Sequence, residues 1–239
     1  MTVTLSLIIP AYNEAERLPK HLREIQAYLD RTYGDRYEVI VVDDGSEDDL
    51  PAVLESASES WPQLRSIHLP QNQGKGAAVR AGMLAAAGDR LLFSDADGAT
   101  PIGEERRLTA AMEQGADVAV GSRLLPAADI PRRRGLLRGL AGRLFAAVAR
   151  RSLGLPVRDT QCGFKMFRRE AARSLFEAAI EDRYLFDLEI LALAVRQGLR
   201  IAEIPVEWNE VPGGRFRPLR ELPRALGGLW RLRRRLRLG

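Results

Sequence analysis

Two carboxylates one residue apart, Asp95 and Asp97, close the apolar run Arg90–Ser94 and are followed by Gly98. Asp-x-Asp at a strand end, with a glycine that lets the backbone turn, can converge on a hard divalent cation. Mg²⁺ or Mn²⁺ in such a site keeps part of its coordination shell for substrate phosphates. The same residues suit a solvated turn, where Asp and Gly are common. A second pair shifts the balance, because Asp43-Asp44 ends another apolar run, Glu38–Val42, followed by Gly45-Ser46. Two acidic strand ends favour a site for a cation and a nucleotide over two unrelated turns. Asn72-Gln73-Gly74-Lys75-Gly76 precedes an Ala-rich helical stretch. Glycines at a helix start approach phosphate closely and Lys75 adds charge. Neither the P-loop spacing nor the dinucleotide fingerprint is present, so from this segment alone a plain strand-to-helix loop fits equally.

The elements that must carry these residues alternate. Leu5–Pro10, Glu38–Val42, Leu64–Leu69, Arg90–Ser94 and Asp117–Val120 read as strands. Between them, Leu18, Leu22, Ile25 and Leu29 recur at helical spacing with Asn13 as the expected cap. Leu50–Ser60, Ala77–Ala87 and Glu104–Gln114 are also helical. This β-α repetition predicts a mostly parallel central sheet with helices on both faces. Ligands in such sheets bind at the carboxyl ends of strands, which carry Tyr12 to Glu14, Asp43 with Asp44, and Asp95 with Asp97. Beyond residue 121, Gly163–Phe167 and Ile201–Trp208 read as strands and Glu170–Ala179 and Leu185–Arg196 as helices. Pro131–Arg158, with eight arginines and no acid, reads as a basic amphipathic helix.

Composition narrows the chemistry. The 239 residues are 46% apolar and 28% charged, enough for a sizeable core. One cysteine, Cys162, excludes an intrachain disulfide and multi-cysteine metal sites. His21 and His68 are the only histidines, and neither stands where a nucleophile system would need it. No apolar run approaches the roughly 18–20 residues that span a bilayer, and Leu5–Pro10 lacks a basic leader, so the chain reads as intracellular. The net charge of +4 conceals an asymmetry: residues 1–130 hold 12 Lys+Arg against 21 Asp+Glu, residues 131–239 hold 24 against 11. The first part can hold a cation; the second attracts phosphates or an anionic surface. A rival reading of the basic part as a nucleic-acid-binding surface is disfavoured by its sparse aromatics and missing recognition motifs.

Taken together, Ile8-Ile9-Pro10-Ala11-Tyr12-Asn13-Glu14, Val41-Val42-Asp43-Asp44-Gly45-Ser46, the Asn72–Gly76 loop and Phe93-Ser94-Asp95-Ala96-Asp97-Gly98-Ala99-Thr100 resemble family 2 glycosyltransferases of the GT-A fold. Asp159-Thr160-Gln161-Cys162-Gly163-Phe164-Lys165-Met166-Phe167, Phe186-Asp187-Leu188-Glu189 and Ile204-Pro205-Val206-Glu207-Trp208 narrow the resemblance to the dolichyl-phosphate β-glucosyltransferase branch. It implies one GT-A domain over residues 1–218 followed by a basic amphipathic tail over 219–239. By motif position, Pro10, Tyr12, Glu14, Asp44, Lys75 and Ala96 would surround the nucleotide sugar, with Asp43 adjacent. Asp95 and Asp97 would approach the diphosphate through Mg²⁺ or Mn²⁺. Arg123, the basic loop at Arg132–Arg134 and Lys165 would face phosphates. Ala99 stands where related mannosyltransferases often carry Gln, which leaves the third protein ligand of the metal open.

The resemblance also implies a nucleotide-sugar donor, UDP-glucose first, and a polyprenyl-phosphate acceptor, with inversion at the anomeric carbon. Other donors (GDP-mannose, UDP-GlcNAc) and a glycolipid hydroxyl acceptor are the rival readings. A sugar leaves a nucleoside diphosphate once developing negative charge is neutralised by a divalent ion and basic side chains. An acceptor phosphate is already anionic, so a strong base matters less. Asp159 is the candidate base or orienting group, or else a turn residue. Asp187 and Glu189 either reach the site or form a helix-surface pair. An acceptor with a lipid tail implies a peripheral protein on the cytoplasmic face of an anionic membrane. The tail, weakened by Gly227-Gly228, is expected to order on lipid.

Overall fold

A computed structural model describes residues 3–126, 147–209 and 227–236. Seven strands form one sheet in the order β3-β2-β1-β4-β6-β5-β7. They are β1 (Leu5–Ala11), β2 (Tyr37–Asp43), β3 (Leu64–His68), β4 (Arg90–Ser94), β5 (Val118–Ser122), β6 (Phe164–Arg168) and β7 (Ile201–Pro205). All neighbouring pairs are parallel except those of β6, which runs antiparallel to both β4 and β5. The expected mostly parallel sheet is therefore present, with one reversed strand inserted between β4 and β5.

Both faces of the sheet are covered, which is why its strands read as continuous apolar runs. Leu5, Leu7 and Ile9 of β1, with Val39 and Val41 of β2, face one core layer. Helices α1 (Leu18–Tyr33), α2 (Leu50–Ser60) and α4 (Glu105–Glu113) supply Leu18, Leu22, Ile25, Leu54 and Leu108 to it. Ile8, Ile40 and Val42 alternate to the other face and meet α3 (Lys75–Ala85), α6 (Arg169–Ala178) and α7 (Phe186–Arg196). Fully burying each such aliphatic side chain contributes about 1.5–3 kcal/mol.

Two further helices lie on this second face: α5 (147–153), the described part of the expected basic helix, and α8 (227–236). Ala149 of α5 is buried while Val148 is exposed, and Leu136, Leu140 and Leu144 lie outside the described residues. Leu229 and Leu232 of α8 are buried in the core, and the end of the helix is bonded by the Arg196 guanidinium to the Leu236 carbonyl. These residues therefore form a helix packed on protein, which corrects the expectation that they order only on lipid. Among the described residues no helix is long and apolar enough to cross a membrane.

Asn13 does not cap α1, whose first turn begins after Arg17 with Pro19 in it. At φ 54° it instead crosses to the next strand end, accepting from the Glu47 N–H and donating its own N–H to Ser46 Oγ. The loops that follow β1 and β2 are thereby tied together, a link that local sequence pattern does not reveal.

Candidate active site

The parallel neighbours β2, β1 and β4 end at one edge, and a cavity of about 390 Å³ opens there. It is lined by Pro10, Tyr12, Glu14, Asp44, Lys75, Asp95, Ala96 and Asp97, all eight named from the sequence, and also by Arg17, Asn72 and Gly74. Arg17 escaped the sequence reading. Its signal was the i,i+3 spacing from Glu14, whose carboxylate takes both its Nε (2.8 Å) and its Nη2 (2.5 Å).

Asp44 organises the glycine loop. Its two carboxylate oxygens accept the N–H groups of Gln73 (2.8 Å) and Gly74 (2.9 Å). Burial raises its pKa, and these two bonds oppose the rise. Asp43 points the other way, because successive side chains leave a strand on opposite faces. It accepts from the Ser46 N–H at 2.9 Å, stands 3.2 Å from His68 Nδ1, and lines a separate surface hollow. Asp43 is thus a turn residue beside the cavity rather than a wall of it.

Asp95 sits half-exposed with Lys75 Nζ 2.5 Å from its Oδ1. The Asp95 N–H donates to the Gly163 carbonyl, and a Cβ at Gly163 would lie 1.9 Å from Asp95 Oδ2. Only glycine therefore permits this approach. Asp97 is exposed and accepts the Ala99 N–H at 3.0 Å, while Gly98 turns at φ +68° over buried His21. Burial lowers the pKa of His21, against the opposing charges of Glu24 and Asp97. Two oxygen-donor carboxylates flank the cavity, and among the described residues no group of three or more His, Cys, Asp or Glu side chains is placed to hold a metal. This donor set fits a hard cation that takes its remaining oxygens from a diphosphate and water.

Arg123 and Asp159 form a closed unit. The guanidinium donates through Nε (2.7 Å) and Nη2 (2.8 Å), and the Arg123 N–H adds a third bond at 2.9 Å. Burial would raise the Asp159 pKa, but the Arg123 bonds and charge outweigh it and hold the carboxyl below its ordinary value. So engaged, Asp159 is a weak base, and its geometry is that of a group that orients Arg123. The Arg123 Cζ also lies 5.8 Å from the Trp208 ring centroid. The Asn209 N–H donates to the Ala99 carbonyl, which draws this segment to the Asp97 turn.

Lys165 departs from expectation. It is 1% exposed, and its ammonium donates at 2.5 Å to Asp187 and to the Cys162 carbonyl, so it is a buried counter-ion and not a phosphate-facing group. Burial pushes the Cys162 thiol up to about 12, which leaves it inert. Asp187 and Glu189 are both buried, so neither belongs to a helix-surface pair. Arg132 and Arg134 lie outside the described residues.

Known proteins share both the sequence and the architecture. Dolichyl-phosphate beta-glucosyltransferase of Drosophila melanogaster is 40% identical over 229 residues, covering 91% of this chain and 70% of that protein. The human protein of the same name is 36% identical over 233 residues, covering 91% of this chain and 71% of its own length. Glucosyl-3-phosphoglycerate synthase of Mycobacterium tuberculosis, solved with Mn²⁺, UDP-glucose and phosphoglyceric acid, superposes with a TM-score of 0.69 at 23% identity, over 97% of this chain and 80% of that one. That likeness establishes the GT-A fold. Residues 6–176, which include every strand end that builds the cavity, match the glycosyl transferase family 2 domain, and to that family this chain belongs.

Proposed function

We propose that this protein transfers glucose, with inversion, from UDP-glucose to a polyprenyl phosphate of the dolichyl type. The observation that carries the reading is the convergence of Asp44, Asp95, Asp97 and Lys75 on one cavity, with Arg123 fixed on the Asp95 side of it. Relatives named for glucosyl transfer to dolichyl phosphate, at 36–40% identity over most of the chain, support the donor and acceptor classes. The chain spans about 70% of the length of those proteins.

Asp44 holds the Asn72–Gly76 loop, and Tyr12 and Asp44 would surround the nucleoside end of the donor. Asp95 and Asp97 would hold Mg²⁺ or Mn²⁺, which supplies positive charge to the leaving diphosphate. Lys75 Nζ, released from Asp95, would take a diphosphate oxygen. Arg123, clamped by Asp159 and covered by Trp208, presents a charge whose orientation costs nothing further when the acceptor phosphate arrives. The acceptor oxygen carries its own negative charge, so the pair needs no free carboxylate base.

Access to a bilayer-bound acceptor would come from the surface. Trp230 of α8 is 63% exposed, with the Arg234 guanidinium 5.8 Å over its ring, on a helix that also exposes Arg231 and Arg233. Such a face suits an anionic headgroup layer.

A panel of nucleotide sugars offered with Mg²⁺ or Mn²⁺ and a short-chain polyprenyl phosphate tests the proposal. Mass spectrometry is expected to find a glucosyl lipid phosphate from UDP-glucose and its loss in EDTA. A product from another donor only, or none without a sugar-hydroxyl acceptor, would overturn it.

A further inference from the structure

Glu189 is a charged side chain with no exposed surface, one turn inside α7 and away from the cavity. Its carboxylate accepts the Ile180 N–H at 3.2 Å and the Glu181 N–H at 2.7 Å. It is also paired with the guanidinium of Arg235 on α8. A buried carboxylate is retained at low cost only when its oxygens are filled by donors and a counter-charge, and here the donors come from the turn just before α7 and the counter-charge from α8.

The segment that Glu189 holds is itself seated on the donor loop. The Asp182 carbonyl accepts the Ala77 N–H, one of the free donors in the first turn of α3. The Asp182 carboxylate pairs with Arg80 of the same helix at 2.5 Å. The fit leaves no room for side chains on the loop: a Cβ at Gly74 would meet the Asp182 carbonyl at 2.5 Å, and one at Gly76 the Glu181 carbonyl at 2.4 Å. On the far side, Gly228 of α8 is packed against Leu185 just as closely. Residues 180–185 are thus held between α8 and the turn that carries Lys75.

We propose that Glu189 is a positioning residue for donor binding, and that through its bond to Arg235 the seating of the C-terminal helix sets the seating of the Gly74–Gly76 loop. The inference rests on the reading of the cavity as a nucleotide site. With Arg235 removed, the carboxylate loses its counter-charge, the 180–185 segment loosens, and the cap on Ala77 loosens with it. Lys75 then spends less time in reach of a diphosphate.

The test compares Arg235→Ala, Glu189→Gln and the double variant by calorimetric titration with UDP in the presence of Mn²⁺, alongside amide hydrogen exchange. Gln keeps one oxygen to accept the backbone N–H groups but puts an amide NH₂, which cannot accept from Arg235, in place of the other, so it removes the ion pair. Each single variant is expected to weaken UDP binding about 3- to 10-fold, the double variant no further than the worse single, and Arg235→Lys to recover most of the loss. Exchange should quicken at 180–185 and at 74–77, while Leu54→Ala, which cuts the opposite core layer, quickens neither selectively. Unchanged UDP affinity with faster exchange confined to 227–236, or effects that multiply, would overturn the coupling. If the unaltered protein failed to bind UDP, the donor reading would fall, and the exchange pattern would still decide whether α8 and the loop are linked.

Discussion

Lys75 and Asp95 are paired at 2.5 Å across the mouth of the cavity, an ammonium on the first residue of α3 against a carboxylate at the end of β4. Opposing burial, Asp95 and Asp187 hold the Lys75 pKa above its ordinary value, so it stays charged throughout the neutral range. The lysine therefore stands where a cation would compete with it. Lys75→Met is expected to raise the affinity for Mn²⁺ alone several-fold, read by electron paramagnetic resonance, while lowering the affinity for UDP about 10-fold. Weaker Mn²⁺ binding in this variant would show that the lysine does not compete.

Asp97 is exposed and bonds only within its own turn, so its replacement should spare the fold. Asp97→Ala is expected to shift stability by less than about 0.5 kcal/mol and to cut turnover at least 100-fold at saturating metal. Parallel urea melts and initial rates separate the two effects.

Breaking the Arg123–Asp159 pair leaves a charge 4% exposed without its partner. Arg123→Ala is expected to cost about 3–5 kcal/mol at pH 7. The pH dependence has a definite sign. Because the folded pKa of Asp159 lies below its ordinary value, its contribution is complete above about pH 4 and is lost as pH falls through the lowered value. Melts from pH 7 down to 3 should show Asp159→Asn with a shallower acid loss than the parent.

Gly163→Ala tests the close approach of the segment leading into β6 to Asp95, the proposed metal ligand. A Cβ 1.9 Å from Asp95 Oδ2 must displace that side chain. A loss of about 1–3 kcal/mol is expected, together with a larger relative loss of Mn²⁺ binding than Gly98→Asn produces. Equal Mn²⁺ affinity in both variants would place the strain elsewhere.

The surface reading of α8 is best tested without deleting it, because Leu229 and Leu232 belong to the core. Trp230→Ala combined with Arg233→Gln is expected to reduce sedimentation with phosphatidylserine vesicles several-fold at low salt and to leave UDP binding unchanged. Sedimentation equal to the parent would assign membrane contact to another segment.

What the sequence revealed follows from what strands and helices announce locally. Apolar runs at β1, β2 and β4, each ending in an acid or a turn, gave the parallel core and put Tyr12, Glu14, Asp44, Asp95 and Asp97 at one edge, because a strand end fixes where the next side chain stands; Lys75 came from the glycine loop, and Pro10 and Ala96 from the family resemblance. The reversal of β6 left no such trace: Gly163–Phe167 is as apolar as a parallel strand, and direction is set by pairing far along the chain. Charge partners were equally silent. Lys165 reads as a free phosphate ligand until Asp187, 22 positions on, folds over it. The same holds for Asp159, whose basicity depends on Arg123, 36 positions earlier.

The reversed strand also bears on how the enzyme tolerates change. Lys165 of β6 sits opposite both Phe93 and Val120, so the chain that leaves the sheet after Ser122 returns to the same place. Arg123 and Asp159 clasp the two ends of that excursion. Once its ends are tied, doubling the length of a loop adds only about 0.6 kcal/mol of closure entropy. The closure term therefore changes little with the length of this excursion, whereas a Cβ added at Gly74, Gly76 or Gly163 meets an atom within 2.5 Å.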